Sequence, residues 1–227
     1  MYLALLVVLA ASPTTPQTWK FETDGTPQVH IANVDGAIRV DAVDGNSVVF
    51  EVVREAPDKA RNPVEVEVVQ EGDAVRAQVC CGPCAEKQHS CRVGAVKFAV
   101  KVPRGTELEV SAVAAKVAVT GVTGKQEIST VTGRVEVNGS EQRLSVSTVD
   151  GEVVLAPRKV MTTSVNTVSG DVRLKLPAKA DATVEFTSVG GSFNGSSVAL
   201  GSKRKSYGAG SQEVEVSTVG GSLTVQE

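Results

Sequence analysis

Aromatic residues make up only 4% of this 227-residue chain, so its core is not built around large rings. Valine is conspicuous instead, and β-branched side chains suit a pleated surface while losing rotamer freedom in a helix. No helical periodicity runs for more than a few residues. A large excess of one charge is also missing: 23 Lys and Arg against 26 Asp and Glu leave a formal net charge of −3. That excludes a nucleic-acid binder held by bulk electrostatics, and charges of mixed sign along the strands read as a solvated face. Histidine occurs only at His30 and His89, without the paired spacing of a metal motif, and no Gly-x-Ser-x-Gly elbow is present. These absences predict no catalytic residues, no metal and no cofactor.

Long apolar runs are lacking too, apart from Leu3 to Ala11. That run is too short to span a bilayer and suits the core of a signal peptide, although the Lys or Arg expected ahead of it is missing. Ala10, Ala11 and Ser12 offer a cleavage region, which predicts a mature chain starting between Ser12 and Thr18. No cysteine follows the run, which argues against a lipid anchor. The expectation is an exported protein (periplasm, cell surface or extracellular) with no transmembrane span in the mature chain.

What is present is repetition. Val-x-Gly occurs at Val34, Val43, Val122, Val131, Val149, Val168, Val189 and Val219, and Ala112 to Val119 reads as a copy that lost its glycine. An apolar strand follows each turn, as in Arg134-Val135-Glu136-Val137, and strict alternation puts one face inside and one in water. A single strand-turn unit cannot bury that face, whereas stacked copies bury a continuous column. An antiparallel sandwich or barrel also shows short strands and frequent turns, but does not need one phrase at one phase. The fold predicted is therefore all-β: a single-chain β-solenoid, parallel β-helix-like and right-handed as parallel crossovers nearly always are. The expected division is a leader and Thr/Pro linker over 1–17, a looser N-terminal β region over 18–111, and solenoid repeats over 112–227. Val131, Val149 and Val168 should share one column, and Gly133, Gly151 and Gly170 one corner.

The repeated Thr-Val-x-Gly-x-Val phrase resembles the bacterial "putative adhesin" β-strand-repeat family, a domain of unknown function. So do "VHIANVDGAIRVDAVDG" and "VKFAVKVPRGTELEVSAV". The resemblance covers roughly Phe21 to the end of the chain. It implies an exported or envelope-associated protein and names no biochemistry, since function resides in sites rather than in folds.

All four cysteines lie in "CCGPCAEKQHSC", from Cys80 to Cys91. Cys81-Gly82-Pro83-Cys84 spells the thioredoxin tetrapeptide but lacks the helix that activates its thiol. With His89 the cluster begins like a zinc knuckle but ends one residue apart instead of four. In an oxidising compartment two structural disulfides are expected. Adjacent Cys80 and Cys81 rarely bond to each other, which leaves two of the three connectivities, and Cys80–Cys91 enclosing Cys81–Cys84 is the preferred one. The long final interval between Val189 and Val219 predicts an inserted loop, "GSKRKSYGAG". There Lys203, Arg204, Lys205 and Tyr207 form a candidate site for an anionic envelope polymer. A further column, Thr130, Thr148, Thr167, Ser188 and Thr218, reads as hydroxyls that satisfy a backbone corner rather than an exposed array.

Function is accordingly read as non-catalytic: a structural, adhesin-like or interaction role with an envelope polymer or another envelope protein as partner. The alternatives are an envelope-stress signalling component, a carbohydrate-active β-helix enzyme, and a redox protein using Cys81 and Cys84. The enzyme needs acids converging on neighbouring rungs, yet in the five rungs from Val131 onward the residue before the glycine runs Thr132, Asp150, Ser169, Gly190 and Gly220, with one carboxylate.

Overall fold

A computed structural model describes residues 16–23, 26–55, 64–81, 84 and 94–227, excluding the side chain of Cys81. The predicted leader, Cys91 and His89 lie outside these residues. No helix occurs among them. The first elements are β1 (Gln17–Glu22), β2 (Gln28–Val43), β3 (Ser47–Arg54), β4 (Val64–Glu71), β5 (Ala74–Cys81) and β6 (Val96–Pro103). The middle of the chain carries β7 (Glu107–Thr120), β8 (Gln126–Thr132), β9 (Val135–Asn138), β10 (Leu144–Asp150), β11 (Val153–Ala156), β12 (Thr163–Asn166) and β13 (Val172–Lys175). The last are β14 (Ala182–Phe193), β15 (Ser196–Tyr207), β16 (Gln212–Thr218) and β17 (Ser222–Gln226).

The strands form rungs, each crossing one face, turning at a Val-x-Gly corner and crossing a second face. β2, β7 and β14 make both crossings as continuous strands, whereas β8/β9, β10/β11, β12/β13 and β16/β17 break at the corner. Neighbouring rungs pair in parallel and in register, as in Val146 with Ile128 and with Val165, or Leu155 with Val137 and with Leu174. Inward residues of both faces join one core, including Ile128, Val146 and Val165 from the first and Val137, Leu155 and Leu174 from the second. Fully burying such a side chain contributes about 1.5–3 kcal/mol. Two of the Val-x-Gly copies named above mark the opposite corner instead: Val43 and Val122 follow the second crossing, as does a further triplet, Val137-Asn138-Gly139, and Val122 and Val137 are buried. The nine-residue intervals are therefore half rungs.

The corner explains the glycines. A Cβ on Gly151 would lie 2.0 Å from the Gly133 carbonyl oxygen, and one on Gly170 would lie 2.0 Å from that of Gly151. The same approach continues from Gly221 to Gly170 and from Gly191 to Gly221. Each of these glycine rungs rests its corner on the carbonyl of a neighbouring rung, which a residue without Cβ permits, while on β7 the corner position is taken by Ala115.

Described aromatic residues cluster at the two ends of the stack. Trp19, Phe21, Phe50 and Phe98 lie on β1, β3 and β6, while Phe186, Phe193 and Tyr207 lie on β14 and β15. Rungs between them have a rung above and below, so Val, Ile and Leu fill the space. An end rung has one neighbour, and larger side chains close the core there. Phe186 and Phe193 stack with centroids 6.0 Å apart.

The order of the rungs differs from the order of the sequence. β16 and β17 pair with β12 and β13 on one side and with β14 on the other, so the last repeat lies between the two that precede it. The predicted inserted loop is instead β15, which pairs antiparallel with β14 along its length. The cause is Asn194-Gly195, both with positive φ (47° and 78°), the backbone of a two-residue hairpin turn whose twist suits paired strands. The chain folds back on β14, and the next repeat takes the free edge on the other side.

Asp181 anchors this return. Its carboxylate accepts hydrogen bonds from the Ser211 hydroxyl (2.6 Å) and the Ser211 N–H (3.0 Å), and its carbonyl accepts one from the Gln212 N–H. The Ser211 hydroxyl, then the backbone N–H groups, hold the Asp181 carboxyl below its ordinary range. A depressed folded-state value contributes stability above the unfolded pKa, about 4, that is lost as pH falls through the folded value. Asp181→Asn should therefore lower the thermal midpoint at neutral pH and converge with wild type in acid, a comparison made by melting both proteins across pH.

Candidate functional site

The corner valines form an exposed column. Registers between the first crossings align Val113, Val131 and Val149. The Val168 N–H donates to the Val149 carbonyl, the Val219 N–H to that of Val168, and the Gly190 N–H to that of Val219, extending the column to Val189. Leu200 on β15 lies opposite Val189 and ends it. The six valines are between 44% and 54% exposed, and Leu200 is 80% exposed.

Beside it runs a column of small polar residues, Ser111, Ser129, Ser147, Asn166, Ser217 and Thr187, two positions earlier on each strand. A shallow groove of about 240 Å³ lies between the two columns, bordered by Ser129, Val131, Ser147 and Val149. Between them in sequence stands the predicted hydroxyl column, Thr130, Thr148, Thr167, Ser188 and Thr218, which is buried. Thr130 Oγ1 donates to the Thr132 carbonyl, and Thr167, Ser188 and Thr218 accept the N–H groups of Gly170, Gly191 and Gly221. These hydroxyls stabilise the corner, as expected. Thr148 Oγ1 is buried with no hydrogen-bond partner. The phrase Ser-Thr-Val-x-Gly is thus one outward polar residue, one inward cap, one outward apolar residue and a corner.

The predicted basic cluster is not gathered into one site. Cross-strand partners put Lys203, Lys205 and Tyr207 on the inward side, opposite Phe186, Val184 and Ala182, while Arg204 lies opposite Glu185. Arg204 pairs with the Glu185 carboxylate, which raises the guanidinium pKa. Lys205 lies 3.7 Å from Glu227 and 4.6 Å from the centre of the buried Tyr207 ring. Inward-pointing lysines on an edge strand are a device against edge-to-edge pairing. Replacing Lys203 and Lys205 by Val should make the protein aggregate, with Tyr207 and β14 unchanged, as light scattering and hydrogen exchange will report.

The cysteine pairing is corrected as well. Cys80 is bonded to Cys84, with Cα atoms 5.2 Å apart. Each sulfur forms one disulfide, so this bond excludes both Cys80–Cys91 and Cys81–Cys84. Cys80 is the penultimate residue of β5, opposite Glu65 on β4, and Cys84 lies in the following turn, which favours the nearer partner. Non-reducing peptide mapping should recover a Cys80–Cys84 linkage. So short a loop contributes about 2 kcal/mol by the chain-entropy relation, against about 3 for the longer one.

Other charged groups form ladders between strands. On the second face Glu152 pairs with Arg134 (2.6 Å) and with Arg173 from neighbouring rungs. At the opposite corner Arg104 lies 2.7 Å from Asp44 and holds that carboxyl below its ordinary range. His30 is half-buried on β2 with Nδ1 2.8 Å from a Glu109 carboxylate oxygen. It borders a depression of about 310 Å³ that also includes Arg76 and Gln78. Exposed pairs of this kind contribute little to stability, because solvent screens them.

A family model described as Toastrack DUF4097 matches residues 26–226. No curated protein matches the chain significantly. Among solved structures it is similar to a "putative cell adhesion protein" from Clostridium sporogenes, at 12% identity and a TM-score of 0.47, covering 94% of this chain and 100% of that one. It is similar to a "putative adhesin" from Bacteroides fragilis at 9% identity and a TM-score of 0.36, covering 94% and 98%. A "putative lipid binding protein" from Parabacteroides distasonis is 8% identical with a TM-score of 0.28, covering 93% and 97%.

Proposed function

This chain belongs to the Toastrack DUF4097 family, and on that premise we propose that it is an exported, envelope-associated protein with a non-catalytic interaction role. Its rungs wind as a right-handed solenoid, the hand that parallel crossovers adopt in nearly all cases. The partner is another envelope macromolecule, a polymer or a protein.

The observation that carries this reading is how the rungs allocate their polar groups. Three of the five repeated hydroxyls cap corner N–H groups, and a fourth, on Thr130, donates to the Thr132 carbonyl. Charges on the second face pair from rung to rung. What repeats outward on the first face is a long strip of valine beside small polar residues, a surface suited to extended macromolecular contact, whether with the envelope or between copies of the chain that bind it together, rather than to a small molecule in an enclosed pocket.

The test is co-sedimentation of the purified mature chain with isolated envelope fragments, together with N-terminal sequencing of exported material. Binding, and a chain starting between Ser12 and Thr18, support the proposal. Recovery of the intact Met1 form from cytoplasm, with no binding, would contradict it.

A further inference from the structure

We infer that the valine column is the centre of an interface with a second copy of this chain, a surface whose existence does not depend on where the protein resides. Seven of the eight exposed large hydrophobic side chains among the described residues lie in this column, and only Val69 on β4 does not. Folding one chain does not require this, because an outward strand position accepts polar residues as readily. Seven residues at strand spacing make a ridge about 29 Å long. They offer on the order of 600 Å² of apolar surface, at the upper end of the largest patch on typical monomers. The groove and the flanking columns bring the strip to the roughly 800 Å² per partner of a standard interface.

Charge and period point to a copy of the same chain. The columns on either side of the valines carry two charges, Asp150 and, at the Val34 end, Asp35, in a chain that is 22% charged, and charge depletion distinguishes the core of an interface. Farther along the same face stands an acidic column that includes Glu109, Glu127, Glu185 and Glu215. Glu185 is paired with Arg204 and Glu109 faces His30, which leaves Glu127 and Glu215 to repel a copy displaced toward that column. Two such strips also share one rung spacing. With a two-fold axis lying in the strip, the Val131 and Val149 stretch of each ridge meets the groove beside Ser111, Ser129 and Ser147 of the other copy, the self-complementary contact such an axis requires. Leu200 adds an independent sign: a leucine at φ 53° is strained, and its exposed side chain extends the ridge onto β15.

Sedimentation velocity of the mature chain should show a reversible dimer. Val149→Arg with Val168→Arg should weaken it by more than about 100-fold, and Val131→Thr, Val149→Thr and Val168→Thr together by about tenfold or more. The threonines keep shape and β-branching, so the triple variant should keep its thermal midpoint. Val69→Arg, away from the column, should leave the dimer unchanged. A wild-type chain that stays monomeric at every concentration, or a dimer that survives the paired arginines, would overturn the inference. So would a monomer that binds vesicles through the strip. Failure of envelope binding with the dimer intact would count against the proposed function alone.

Discussion

Gly221→Ala is expected to destabilise the protein by about 3 kcal/mol, while Gly220→Ala, one residue earlier, leaves its stability nearly unchanged. The two glycines are adjacent in "TVGGS" and look equivalent there. A Cβ on Gly221 would lie 2.1 Å from the Gly170 carbonyl oxygen, which belongs to the rung below and cannot move without opening the stack. A Cβ on Gly220 meets nothing within 4 Å. In a chain of this length the first variant should lose about 6–12 °C of thermal midpoint. Calorimetry of both variants checks the contrast, and equal effects would mean that the corner is not built by close backbone approach.

Phe186→Ala is expected to cost about 3–5 kcal/mol, the largest effect of any single truncation considered. Phe186 is fully buried on β14, stacks on Phe193, and closes the core where only the return strand β15 lies beyond. Rungs in a stack interact with their neighbours alone, so the damage should concentrate at that end. Hydrogen exchange should accelerate first in β14, β15 and β16, with β8 and β10 protected longest. Uniform acceleration along the chain would contradict end-closure by the aromatics.

Much of this was legible in the sequence because the repeat phrase states its own geometry. Glycine at a fixed phase marks a corner, alternation marks faces, and recurrence marks stacking, so the shared column of Val131, Val149 and Val168 follows from spacing. The exposure of that column was less visible, since valine in a strand is usually read as core. Position relative to Thr was the available signal: Thr130 and Val131 are neighbours on one strand, so if the threonine caps inward the valine faces out.

The rung order was missed for a different reason. Interval counting assumes that successive repeats are neighbours, and a hairpin between two repeats breaks that assumption. The hairpin was itself announced by Asn194-Gly195 between strand-forming segments, a strong local turn signal that the glycine-rich flanks of the following segment obscured. The cysteine pairing had no comparable signal, because four cysteines within twelve residues satisfy several connectivities and spacing does not choose among them.

The order of the stack is the claim on which the corner, the valine column and the closed end all rest. Backbone NOE spectroscopy on labelled protein tests it most directly. Val219 should show inter-strand contacts to the Val168 rung on one side and the Val189 rung on the other, with none between Val168 and Val189. Direct contacts between the Val168 and Val189 rungs, with the Val219 rung at the end of the stack, would contradict the account.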